Sequence, residues 1–141
     1  MKRRGILVLS TTALLGGCSS SEGDVQLGGV RVENFREESI TVEIKIEDDS
    51  ETVYNTTASV ASASGTVSTE IIDCEWDTDA HGQYSIAARV ASDDEWDHVD
   101  VVEDNSDSCR WIAIQVESEN IYFDQRDCEN YPETPCELLS N

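Results

Sequence analysis

Apolar residues recur at every second position along most of this chain. Ile40, Val42, Ile44 and Ile46 alternate with Thr41, Glu43 and Lys45. That period predicts a strand with one buried face. A shorter alternation, Val30 and Val32, precedes it, and Gly28-Gly29 marks a bend or bulge there. Asn34 to Glu38 reads as the link between the two. Asp48-Asp49-Ser50 reads as a turn. Residues 52–61 then place Tyr54, Thr56, Ala58 and Val60 on one side. Ser62-Ala63-Ser64-Gly65 breaks that run, and residues 66–73 are again β-rich. Residues 83–91 carry Tyr84, Ile86, Ala88 and Val90 in alternation. Residues 97–103 carry Val99 and Val101, and 109–117 carry Ile112, Ile114 and Val116. Ile121-Tyr122-Phe123 is a short last strand.

After Cys18, no window shows apolar residues at the helical spacing i, i+3, i+4 and i+7 over three turns. Turn signals recur about every ten residues, the pattern of a sandwich or barrel. The expectation is a single all-β domain of about 7–8 strands over residues 25–127.

The amino terminus has a different pattern. Lys2, Arg3 and Arg4 precede an apolar stretch from Ile6 to Leu15, and Gly16-Gly17 follow. A cationic start, a short apolar run and small residues are the parts of an export signal. The run is shorter than the roughly 20 residues a membrane-spanning helix needs. Leu15-Gly16-Gly17-Cys18 resembles a lipoprotein lipobox. Arg3-Arg4-Gly5-Ile6-Leu7 resembles a twin-arginine export signal, departing from it at Lys2 and Ile6. The resemblance implies cleavage after residue 17 and lipid on the Cys18 sulfur. The expected location is the extracellular face of a membrane, held by that lipid. Residues 18–24 then form a polar tether.

Charge sharpens this picture. All 30 Asp and Glu follow Cys18, whereas three of the nine Lys and Arg precede it. The remainder, 124 residues, carries six cations and a formal charge of −24. The acids are spread evenly, which suggests a hydrated shell on a folded domain rather than a disordered tail. With no basic face to neutralise phosphates, nucleic acid is excluded as a partner. The composition resembles secreted proteins of salt-loving archaea.

Asp79-Ala80-His81-Gly82-Gln83-Tyr84-Ser85-Ile86 resembles the Asp-x-Gly-x-Tyr corner of immunoglobulin-like domains. It has one extra residue between Asp79 and Gly82. Ile86 stands where antibody domains have Cys, which points away from an antibody-type domain. The chain therefore resembles a haloarchaeal secreted lipoprotein with an immunoglobulin-like β-sandwich. A cupredoxin-like or transthyretin-like sandwich is the alternative.

With Cys18 assigned to lipid, four cysteines remain in an oxidising compartment, and two disulfides are expected. Cys74 ends one strand run and Cys109 begins another. Cys128 and Cys136 bracket a segment with two prolines. The expected pairs are Cys74–Cys109 and Cys128–Cys136, the second closing residues 128–141 as a tail. Loop closure assigns them about 4 and about 2–3 kcal/mol. Trp76 and Trp111 each lie two residues beyond a cysteine, so both rings are expected near the first bridge.

The residues offer little reactive chemistry. A blue-copper site needs two His, one Cys and an axial ligand such as Met. His81 and His98 both precede Cys109, and the only Met is Met1. A four-cysteine zinc site lacks any Cys-x-x-Cys pair. Asp77-Thr78-Asp79-Ala80-His81-Gly82 begins like a calcium loop, but His81 and Ala88 occupy two ligand positions. His98 lies between Asp97 and Asp100, with no serine in a nucleophile-elbow context. Asn55-Thr56-Thr57 is an N-glycosylation sequon.

The expected function is therefore a non-catalytic binding or structural module of the cell envelope, without cofactor or metal. Its partners are the membrane, through lipid on Cys18, and an envelope protein or glycan. A calcium-binding envelope protein using the acidic loops is the alternative, and a small hydrolase the third. The acidic shell predicts that melting temperature rises from low to molar salt. The expected rise is about 5 °C or more, equivalent to roughly 1 kcal/mol. A flat curve would remove the salt-adaptation reading.

Overall fold

The computed structural model describes residues 24–78, 80–102 and 109–128. Nine strands form among them: β1 Val25–Asn34, β2 Ile40–Asp48, β3 Glu51–Val60, β4 Ser68–Ile71, β5 His81–Gly82, β6 Tyr84–Val90, β7 Asp97–Asp100, β8 Cys109–Val116 and β9 Ile121–Asp127. They make two sheets packed as a sandwich. One has the order β4-β1-β8-β9, with the two-residue β5 also on β1; the other has the order β3-β2-β6-β7. The all-β sandwich is present, with nine strands where about 7–8 were expected. The additional one is β5, too short to carry a period.

The core follows from the alternation. Val42, Ile44 and Ile46 of β2 face Ile86, Ala88 and Val90 of β6 on one sheet, and Val30, Val32, Ile112, Ile114 and Val116 on the other. Each fully buried branched side chain contributes about 1.5–3 kcal/mol relative to exposure. The β2–β3 hairpin pairs Asp48 with Glu51 across Asp49 and Ser50, whose φ angles are 52° and 71°. Two successive positive φ values suit the right-handed twist of the flanking strands.

The β1 strand shifts phase partway along. Val25 and Leu27 face inward, and then Val30 and Val32 do. The parallel pairing with β8 slips between Leu27 and Gly29, leaving Gly28 as the extra residue of a bulge. Trp76 Nε1 donates to the Leu27 carbonyl at 2.8 Å, satisfying a buried acceptor beside the bulge.

The disulfide over this bulge corrects the expected pairing. Cys109 is bonded to Cys128, not to Cys74, with Cα atoms 5.4 Å apart. Hairpin register is the reason. Arg110 stands opposite Asp127 in the antiparallel β8–β9 pair, so the next position out sets Cys109 opposite Cys128. The Cys128–Cys136 pairing falls with it. Cys74 is also disulfide-bonded, to a partner outside the described residues. By loop closure, a bridge spanning 19 residues contributes about 3 kcal/mol.

Asn34 is fully buried and fixes one end of the sandwich. Its Nδ2 donates to the carbonyls of Glu38 and Ala61 at 2.9 and 2.8 Å, and its Oδ1 accepts from Arg36 N. Arg36 Nε donates to the Glu117 carbonyl at 2.8 Å. The segment read as a simple link therefore ties β1 to the connection after β3 and to the β8–β9 turn.

Gly28 lies against the bridge. A Cβ there would sit 2.9 Å from Cys128 Sγ and 3.1 Å from Cys109 Sγ. Gly28→Ala is expected to destabilise the oxidised protein by about 1–3 kcal/mol. After reduction the thiols can turn away, and the cost falls. Urea melts with and without reductant check this; equal costs in both would show that the bridge does not fill the space.

Candidate functional site

The outer face of the β3-β2-β6-β7 sheet carries a polar constellation built across four strands. Register sets Asn55, Lys45, Ala87 and His98 in one row across four strands, and Thr57, Glu43 and Arg89 in the next. Arg89 and Glu43 form an ion pair at 2.8 Å. Trp96, from the β6–β7 connection, meets both cations of the face. Lys45 Nζ is 4.4 Å from its ring centroid and Arg89 Cζ is 4.6 Å. Each such contact contributes about 0.5–1 kcal/mol where solvent reaches it.

The outer face of the other sheet repeats the device. Trp111 is only 1% exposed, yet it lies on the side of β8 away from Ile112 and Ile114. Arg31 Cζ stands 4.7 Å from its ring centroid and bonds Glu33 at 2.8 Å. Gln115 Nε2 donates to Glu33 Oε1 at 3.1 Å. Trp76 lies inside the sandwich, with its ring centroid 6.0 Å from that of Tyr54. The two tryptophans expected together are therefore separated by the sheet. Trp111 does share the outer side of β8 with Cys109, as residues two apart in a strand must.

The remaining cations are also engaged. Arg110 pairs with Asp127, and Arg126 with Asp124 at 2.9 Å. With Arg36 on a backbone carbonyl, all six cations after Cys18 are held within the molecule. The rest of the charged surface is carboxylate.

The candidate reactive residues do not converge. His98 is exposed on β7, with Asp97 and Asp100 exposed beside it. Among the described residues, no group of three or more His, Cys, Asp and Glu is arranged to hold a metal. Asp79, from the calcium-like loop, lies outside the described residues, as do 103–108. Asn55 is exposed on β3.

One titrating group is perturbed. Tyr84, 5% exposed, begins β6 at the end of the sandwich where Asp48 Oδ1 accepts from Gln83 N at 3.0 Å. Burial raises the phenol pKa above 10, and the charges of Asp48 and Asp77 raise it further. Asp79, the first residue of the corner-like motif, lies outside the described residues.

Tyr84 therefore stays protonated in the fold to a higher pH than in the unfolded chain. Its stabilising effect is complete below pH 10 and is lost as pH rises through the raised value. A spectrophotometric titration is expected to show one tyrosine ionising late. Asp48→Asn keeps the acceptor but removes the charge, and should move that midpoint back toward 10. An unmoved midpoint would assign the shift to burial and Asp77. Comparison of the chain with family models, curated proteins and solved structures finds no match.

Proposed function

We propose that this chain is a lipid-anchored module on the outer face of a cell membrane, acting by non-covalent contact rather than catalysis. The observation that carries this reading is the placement of a disulfide-bonded sandwich directly after a lipobox. Cys109–Cys128 and the bond at Cys74 suit an oxidising compartment. Leu15-Gly16-Gly17-Cys18 supplies the means of reaching it and staying there. Lipid on Cys18 would contribute about 0.8 kcal/mol per buried methylene.

The tether joins the fold at Val25, the first residue of β1. That strand is hydrogen-bonded on both sides, so a pull from the membrane acts on an inner strand rather than a fraying edge. Outward, the module presents carboxylates, hydroxyls and amides while its cations are engaged internally. Those groups suit hydrogen bonds to an envelope glycan, or ion pairs with a basic patch on another envelope protein.

Fractionation of a Cys18→Ser variant tests the anchor. The variant is expected to leave the detergent-soluble membrane fraction, or to accumulate with its leader uncleaved. Wild-type mobility and wild-type fractionation of the variant would contradict the lipid assignment.

A further inference from the structure

Between Glu51 and Glu70 the chain has no charged residue, a span of 18 positions in a protein with 30 acids. The span forms most of β3, its connection to β4, and the start of β4. In its sheet β3 is the terminal strand, bonded only to β2. Natural edge strands are normally guarded by charge, proline or a covering segment. Here neither charge nor proline occurs from Thr52 to Thr69, and Val53 and Val67 are each 41% exposed. The opposite side of the sandwich is laced shut. There Gln125 Nε2 donates to the Asp100 carbonyl at 3.0 Å, and its Oε1 accepts from Val102 N at 3.2 Å.

The sequon lies inside the uncharged span. Asn55 and Thr57, the two residues that define it, are both exposed and share the outer face of β3. Tyr54, Thr56 and Ala58 point the other way. The cross-strand neighbours of the pair are Lys45 and Glu43. Lys45 is held on Trp96 and Glu43 on Arg89. An edge strand bonded on one side opens locally at lower cost than an inner one, which favours its admission to a modifying enzyme.

We infer that Asn55 is an N-glycosylation acceptor, and that the attached oligosaccharide covers the uncharged β3 edge. This rests on the export reading above, since the donor meets the chain at the membrane. The donor class is a lipid-phosphate-linked oligosaccharide. Asn55 Nδ2 forms a bond to the anomeric carbon of the first sugar. The bond from that carbon to the phosphate oxygen breaks, and the lipid phosphate leaves with the electron pair. The amide proton passes to a base of the transferase, and nothing is oxidised or reduced. The product places a hydrated polymer on a strand that carries no charge of its own after Glu51.

The test uses the full-length chain in its own host. Protease added to intact cells first establishes whether the domain is outside, and peptide masses are then measured on the purified protein. The peptide containing Asn55 is expected to carry an added oligosaccharide mass in most copies. Asn55→Gln and Thr57→Ala should abolish that mass, and Thr56→Ala should keep it. Surface-exposed protein with an unmodified Asn55 peptide would overturn this inference while leaving the export reading intact. Added mass persisting in Asn55→Gln would also overturn it. Protein shielded from external protease would overturn the export reading and this inference together.

Discussion

The structure depends on how β1 sits in its sheet. It runs parallel to β8, which lies at the other end of the domain sequence, and its opposite edge pairs with β4 and β5. Every strand of that sheet except β9 touches it. A slip of one residue would turn the whole inward row outward. The bulge at Gly28 makes such a change of phase once, on purpose, so that Leu27 and Val30 both reach the core. Trp76 satisfies the carbonyl beside it, and the Cys109–Cys128 bridge lies against it. Three distant parts of the sequence therefore agree on one register.

Charge is used economically around this frame. Six cations face 30 acids, and each cation has a partner within the molecule. Two tryptophans, one on each outer face, gather three of them. Both faces use a Trp, an Arg and a Glu on adjacent strands or positions, which buries aromatic surface outside the main core. The acids are left to dominate the solvent boundary. The even spread of acids in the sequence is the imprint of that division.

Much of the sandwich was legible in the sequence because its strands each have one wet face. Ile40 to Ile46, Tyr84 to Val90 and Ile112 to Val116 declare their inward rows directly. Gly28-Gly29 announced a bulge, and Asp48-Asp49-Ser50 a turn. The bridge is hidden from a comparison of strand ends along the chain, because it joins positions that meet only across a hairpin. Counting back from the turn between Val116 and Ile121 sets Cys109 opposite Cys128. Alternation sets Trp111 on the same side of β8 as Cys109 but does not say which sheet face is covered, so its separation from Trp76 is not legible. Asn34 was invisible, because a buried asparagine and a loop asparagine read alike until their partners are known.

The sandwich is stapled by Cys109–Cys128, and the staple requires that β8 and β9 hold the register described. Non-reducing peptide mapping of the purified full-length protein tests this most directly. The expected result is a linked pair of peptides containing Cys109 and Cys128, with Cys74 in a separate bridge. A Cys74–Cys109 peptide, or free thiols at these positions in the native molecule, would contradict it.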